Sequence, residues 1–156
     1  MRIRLIAVGE RMPRWVAQGF EEYAKRLPRD CRLELCEIAA GRRGKGQDPA
    51  RAVAEEGRRM LAALPTGARV IALDVGGQPW STEELAAQMT RWRRLGETVA
   101  LLVGGPDGLA PACLQRADQR WSLSRLTLPH PLVRVVLAEQ LYRAWSLLQG
   151  HPYHRA

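Results

Sequence analysis

The chain has 156 residues, with 24 Lys+Arg against 16 Asp+Glu and a formal net charge of +8. The length suits one domain covering 1–156, and 46% hydrophobic residues exclude a disordered chain. No apolar run approaches the roughly 18 residues of a membrane span, and Met1–Gly9 carries internal charges without a small-residue cleavage site, so a cytoplasmic address is expected.

Arg2 to Val8 reads as a buried strand, apolar at Ile3, Leu5, Ile6, Ala7 and Val8 and ending at Gly9. Pro13 opens a helical pattern in which Trp15, Val16, Gly19, Phe20, Tyr23 and Leu27 recur at three and four, until Pro28 ends it. Leu33 to Ile38 alternates as a second strand. Gly41 to Asp48 holds three glycines and three bases with no apolar residue, which predicts a mobile surface loop. Asp48 or Pro49 starts a helix with Val53, Met60, Leu61 and Leu64 on its apolar side.

Arg69 to Val75 is the clearest strand, closed by Gly76-Gly77. Ser81, with Glu84 three residues on, marks a capped helix that runs to Leu95 and stops at Gly96. Thr98 to Val103 is another buried strand and leads into Gly104-Gly105-Pro106-Asp107-Gly108. A short helix over Pro111–Ala117 and a short strand over Arg120–Leu123 follow. The last helix begins near Pro131 and is apolar almost all round, so it must be covered on every face, by the sheet and by a second subunit. Alternating strands and helices predict an α/β fold with a mostly parallel sheet and flanking helices.

In such sheets ligands bind beyond the carboxyl ends of the strands, which directs attention to Gly104–Gly108 and to the segment after Arg120. There is no G-x-G-x-x-G after the first strand, no G-x-x-x-x-G-K-[ST] and no G-x-S-x-G. All the bases except Lys25 and Lys45 are arginine, which forks onto phosphate and stacks on bases. That excess fits a nucleic-acid partner, although a GC-rich coding sequence would produce it too. Arg42, Arg43, Lys45 and Arg134 are the candidate RNA contacts. The three cysteines lack a C-x-x-C pair and read as buried thiols. His151 and His154 have helical spacing, but Pro152 lies between them, so no metal is expected.

Several long motifs occur in order: L-L-V-G-G-P-D-G at Leu101–Gly108, S-L-S-R-L-T-L-P-H-P-L-V-R-V at Ser122–Val135, E-Q-L-Y-R-A-W-S at Glu139–Ser146 and H-P-Y-H-R at His151–Arg155. Together with V-G-E-R-M-P-R-W-V at Val8–Val16 and A-G-R-R-G-K at Ala40–Lys45, they closely resemble the RlmH family. These are small bacterial SPOUT-class methyltransferases of ribosomal RNA, and the resemblance spans the whole chain. It implies S-adenosylmethionine as methyl donor and N3 of a pseudouridine in large-subunit RNA, within the assembled ribosome, as acceptor. It also implies a C-terminal trefoil knot and a homodimer in which the tail of one subunit completes the pocket of the other.

By position, the resemblance puts the donor among Leu73, Gly104, Gly105, Leu123, Ser124, Arg125, Leu126, Thr127 and Leu128. Arg125 enters only through its backbone. His130, Tyr153 and Arg155 take the catalytic positions, with His154 beside them against RNA. His130 either accepts the N3 proton or orients the base. Tyr153 would stack on the target base, and Arg155 would hold a phosphate or a developing oxyanion. The competing readings are an RNA- or ribosome-binding α/β module without catalysis and a flavin- or nucleotide-binding domain.

Overall fold

The structure is a computed structural model that describes residues 1–154; the side chain of His154 and residues 155–156 lie outside the described part. Five strands form one parallel sheet: β1 (Arg2–Val8), β2 (Arg32–Ile38), β3 (Arg69–Pro79), β4 (Thr98–Val103) and β5 (Gln119–Ser122). Their spatial order is β2-β1-β4-β3-β5, with every pair parallel. The helices are α1 (Arg14–Ala24), α2 (Pro49–Ala62), α3 (Thr82–Leu95), α4 (Pro111–Arg116) and α5 (His130–Leu148).

Alternation along the strands divides the core into two layers. Ile3, Leu5 and Ala7 of β1 face Phe20 of α1, Leu85, Met89 and Trp92 of α3, and Leu137 and Leu141 of α5. Ile6 and Val8 face the other way, onto Val53 and Met60 of α2 and Cys113 of α4. Both sheet faces are thus covered, which is why β1 and β4 are apolar at nearly every position.

The helix boundaries follow local chemistry. The Asp48 side chain accepts a hydrogen bond from the Ala50 amide at 2.9 Å, ahead of Pro49 in the first turn of α2. Ser81 Oγ accepts from the Glu84 amide at 3.0 Å, and Gly96 ends α3 at φ 64°. Cys31 and Cys113 are buried, with desolvation pushing the Cys31 thiol up to about 11, whereas Cys36 is only half-buried. No helix among the described residues is long and apolar enough to cross a membrane.

Two expectations need correction. First, β3 does not end at Val75. Its pairing with β5 breaks after Leu73 and resumes at Gln78 and Pro79, so residues 74–77 form a bulge. Gly77 allows this, because a Cβ there would lie 2.6 Å from the Arg120 carbonyl carbon. Second, the glycine-rich basic loop is fastened at its start. Gly41 is buried so tightly against Ala52 that a Cβ would lie 2.3 Å from the Ala52 carbonyl oxygen. Its amide donates to Glu56 Oε2 at 2.9 Å.

Candidate active site

A cavity of about 520 Å³ opens at the carboxyl ends of β3, β4 and β5, closed on one side by the start of α5. Leu73, Gly104, Gly105, Leu123, Ser124, Leu126, Thr127 and Leu128 all line it, as do His130 and Val133. Of the expected cofactor residues only Arg125 is absent from the wall; it is exposed. The backbone shapes this floor. A Cβ on Gly104 would lie 2.5 Å from the Gly108 carbonyl carbon, and Gly108 itself sits at φ 81°. The Gly108 amide donates back to the Gly105 carbonyl at 3.1 Å, closing the turn.

The opposite wall is a loop held by its own serines. Ser122 Oγ donates to the Ser124 carbonyl at 3.1 Å, and Ser124 Oγ accepts from the Leu126 amide at 2.9 Å. This leaves Leu126 73% exposed at the mouth of the cavity, an apolar residue with no cover in the single chain.

His130 stands at the first position of α5, where Pro129 precedes it in extended conformation and Pro131 continues the helix. Its Nδ1 is buried and has no hydrogen-bond partner among the described residues, an unmet bond that a ligand would satisfy. Burial, and then the neighbouring Arg134 charge, hold its pKa below the ordinary histidine value. The imidazole is therefore neutral near pH 7 and able to take up a proton.

Arg134 is enclosed by its own chain. It is 1% exposed, and its guanidinium donates to Glu37 Oε2 at 2.6 Å and to the Val8 and Gly9 carbonyls at 3.2 and 2.7 Å. It ties α5 to the ends of β1 and β2, fixing the helix that carries His130. Arg43 is likewise occupied. It donates to Glu56 at 2.6 Å, to the Gly41 carbonyl at 3.2 Å and, through Nε, to Asp107 Oδ2 at 2.9 Å. Glu56 is 2% exposed, so a buried carboxylate and one arginine join the basic loop to the glycine turn of the cavity. Both expected RNA contacts thus have partners within the chain, Arg134 buried and Arg43 still exposed. Arg42 and Lys45, in contrast, are exposed, with no ion pair among the described residues.

Tyr153 does not reach the cavity of its own chain. Its ring packs on Tyr142 at 4.6 Å between centroids, with the Arg143 guanidinium 5.0 Å from its centroid. Tyr142 lies twelve residues beyond His130 along α5, about 18 Å at about 1.5 Å per residue. Arg155 and the His154 side chain, also expected at the site, lie outside the described residues. No cluster of metal-ligating side chains occurs among the described residues.

The model of a family described as predicted SPOUT methyltransferases matches residues 1–154. The chain belongs to the SPOUT methyltransferase family. Among its relatives, the "Ribosomal RNA large subunit methyltransferase H" of Alkalilimnicola ehrlichii is 66% identical over 156 residues, covering 100% of both chains. The protein of the same name from Chromohalobacter salexigens is 65% identical over 99% of this chain and 100% of its own. Solved structures share the fold at low identity. A methyltransferase from Bordetella pertussis has a TM-score of 0.57 at 19% identity, covering 92% of this chain and 95% of its own. A Legionella pneumophila methyltransferase solved with bound SAM has a TM-score of 0.51 at 11% identity, over 92% of this chain and 66% of its own.

In this SPOUT methyltransferase the sequence reading missed three acidic groups around the cavity. Glu56 and Asp107 are the partners of Arg43. Asp74 lines the cavity directly, beside Leu73. Its place after a strand-end residue is the available signal; the bulge in which it sits is not visible in the sequence.

Proposed function

We propose that this chain transfers the methyl group of S-adenosylmethionine to N3 of a pseudouridine in large-subunit ribosomal RNA, acting in the cytoplasm on the assembled ribosome. The observation that carries this is the single cavity in which the glycine turn, the Leu123–Leu128 loop and a neutral, unpartnered His130 converge. The residues suit the donor. The volume lies in the range of small-molecule sites, roughly 300–1,000 Å³. Leu73, Leu126 and Leu128 offer flat apolar walls for an adenine, and the glycine backbone allows close approach.

When bound, S-adenosylmethionine supplies a methyl carbon activated by its sulfonium. With the donor bound, His130 would accept the N3 proton of the acceptor base as that nitrogen takes up the methyl group. The cavity walls hold donor and acceptor in line, and alignment of this kind lowers barriers by roughly 7–11 kcal/mol.

The reading includes a homodimer and the family's knotted C-terminal arrangement. Leu132, Val133, Val135 and Val136 of α5 stay partly exposed in one chain, as does Leu126. A second copy covers this surface and brings Tyr153, His154 and Arg155 to the partner's cavity. Tyr153 then stacks on the target base and Arg155 stabilises negative charge on it. Arg42 and Lys45 contact RNA phosphate. The test is transfer of a labelled methyl group to intact ribosomes, separated subunits and naked RNA, with the product nucleoside identified by mass spectrometry. Label as N3-methylated pseudouridine in large-subunit RNA is expected; no label from protein that is folded would overturn the proposal.

A further inference from the structure

The acidic side chains of this protein are mostly paired with its abundant arginines; Asp74 is an exception. Its carboxylate meets no cation among the described residues, and its hydrogen bond is a long one, from the Gly76 amide at 3.4 Å. It is half-buried, and it lines the cavity at the point where the β3 bulge turns away from β5. The rest of the wall is glycine backbone, apolar side chains, two hydroxyls and His130, so Asp74 is its one acidic group. What sets Asp74 apart from the other acids without an ion pair is its place in the cavity wall, where a cationic ligand would meet it.

The methyl donor and its product differ in that respect. S-adenosylmethionine carries an ammonium and a carboxylate that cancel, plus a permanent sulfonium charge. Transfer moves the methyl group to N3 and leaves S-adenosylhomocysteine, a neutral sulfide with the same adenosine and amino-acid parts. A sphere of the cavity's 520 Å³ would be about 10 Å across, comparable to the distance over which physiological salt screens a charge. A net charge anywhere inside it therefore interacts with Asp74.

We propose that Asp74 is the residue by which this enzyme distinguishes the sulfonium donor from its neutral product. The carboxylate attracts the net positive charge of the loaded donor, and the attraction ends when the methyl group leaves. Asp74 thereby favours exchange of spent for fresh donor without touching the acceptor base. This rests on the methyl-donor reading above and adds the basis of ligand discrimination.

Calorimetric titration of the full chain and of Asp74→Asn tests it, with S-adenosylmethionine, S-adenosylhomocysteine and sinefungin, whose amine restores a positive charge near the sulfur position. The substitution keeps the shape, removes the charge and turns one acceptor oxygen into an amide donor, and matching thermal unfolding of the two proteins checks that the fold is kept. Loss of one charge-assisted contact should weaken S-adenosylmethionine and sinefungin about ten-fold, with S-adenosylhomocysteine changed less than about three-fold. The donor's advantage should also shrink with added salt in the unaltered protein and not in the variant. Equal weakening of all three ligands would overturn the inference and assign Asp74 to the shared ribose or amino-acid part. No binding of S-adenosylmethionine to the unaltered protein would overturn the methyl-donor reading itself, and this inference with it.

Discussion

Replacing Arg134 with Met is the most informative single change to the scaffold. The side chain is 1% exposed and its guanidinium makes three contacts, at 2.6 Å to Glu37 and at 3.2 and 2.7 Å to the Val8 and Gly9 carbonyls. Glu37 is 36% exposed and regains water when its partner is removed. The two carbonyls are buried and do not, so each costs about 1–3 kcal/mol in lost hydrogen bonding. Methionine fills most of the volume, which keeps the cavity cost small. The expected loss is about 3–5 kcal/mol, the scale of breaking a buried charged network. It is a large part of the roughly 5–15 kcal/mol of an ordinary domain. Guanidinium unfolding at fixed protein concentration measures it, with Arg134→Lys as a milder companion that keeps the charge and loses the fork. A Met variant within about 0.5 kcal/mol of the unaltered protein, with RNA affinity reduced instead, would refute the structural assignment and return Arg134 to the RNA surface.

Other outcomes follow from the site. Gly104→Ala should abolish donor binding in calorimetry, because its Cβ would lie 2.5 Å from the Gly108 carbonyl carbon and the cavity floor would have to move. The pH profile of methyl transfer should have its acidic limb centred below pH 6.5, falling as His130, whose pKa burial and Arg134 lower, becomes protonated. His130→Gln should remove that acidic limb together with most of the rate, and a limb centred above pH 6.5 would contradict the proton-acceptor role. Arg42→Ala with Lys45→Ala should weaken RNA binding and reduce its dependence on salt by a slope of about one per charge removed. An unchanged slope would mean that the exposed bases do not meet phosphate.

Much of the fold is legible in the sequence because strands buried on both faces are apolar almost throughout, as in Thr98–Val103, and because Asp48, Ser81 and Gly96 announce helix ends. The family resemblance likewise points to Leu73, the glycine turn and Leu123–Leu128, and the cavity is lined by eight of those nine residues. What fails is what depends on partners distant in sequence. Arg134 looks like a surface arginine until Glu37, 97 residues away, is seen to hold it. The β3 bulge is hidden for the same reason, since a strand's register is set by the strand beside it, and the place of Asp74 in the cavity wall goes with it. The tail is a different case: the resemblance places it at the partner's cavity, and in one chain Tyr153 packs on Tyr142, twelve residues along α5 from His130.

That separation makes subunit mixing the most direct test of the composite site. His130→Ala impairs the cavity and Tyr153→Ala the tail, and each variant alone should be inactive in methyl transfer to ribosomes. After equal amounts are mixed and subunits exchange, about half the dimers carry one of each, and each of these has one intact site, so about a quarter of the full activity should return. A mixture that forms mixed dimers yet stays inactive, or a Tyr153→Ala protein active by itself, would contradict a site built from the cavity of one subunit and the tail of the other.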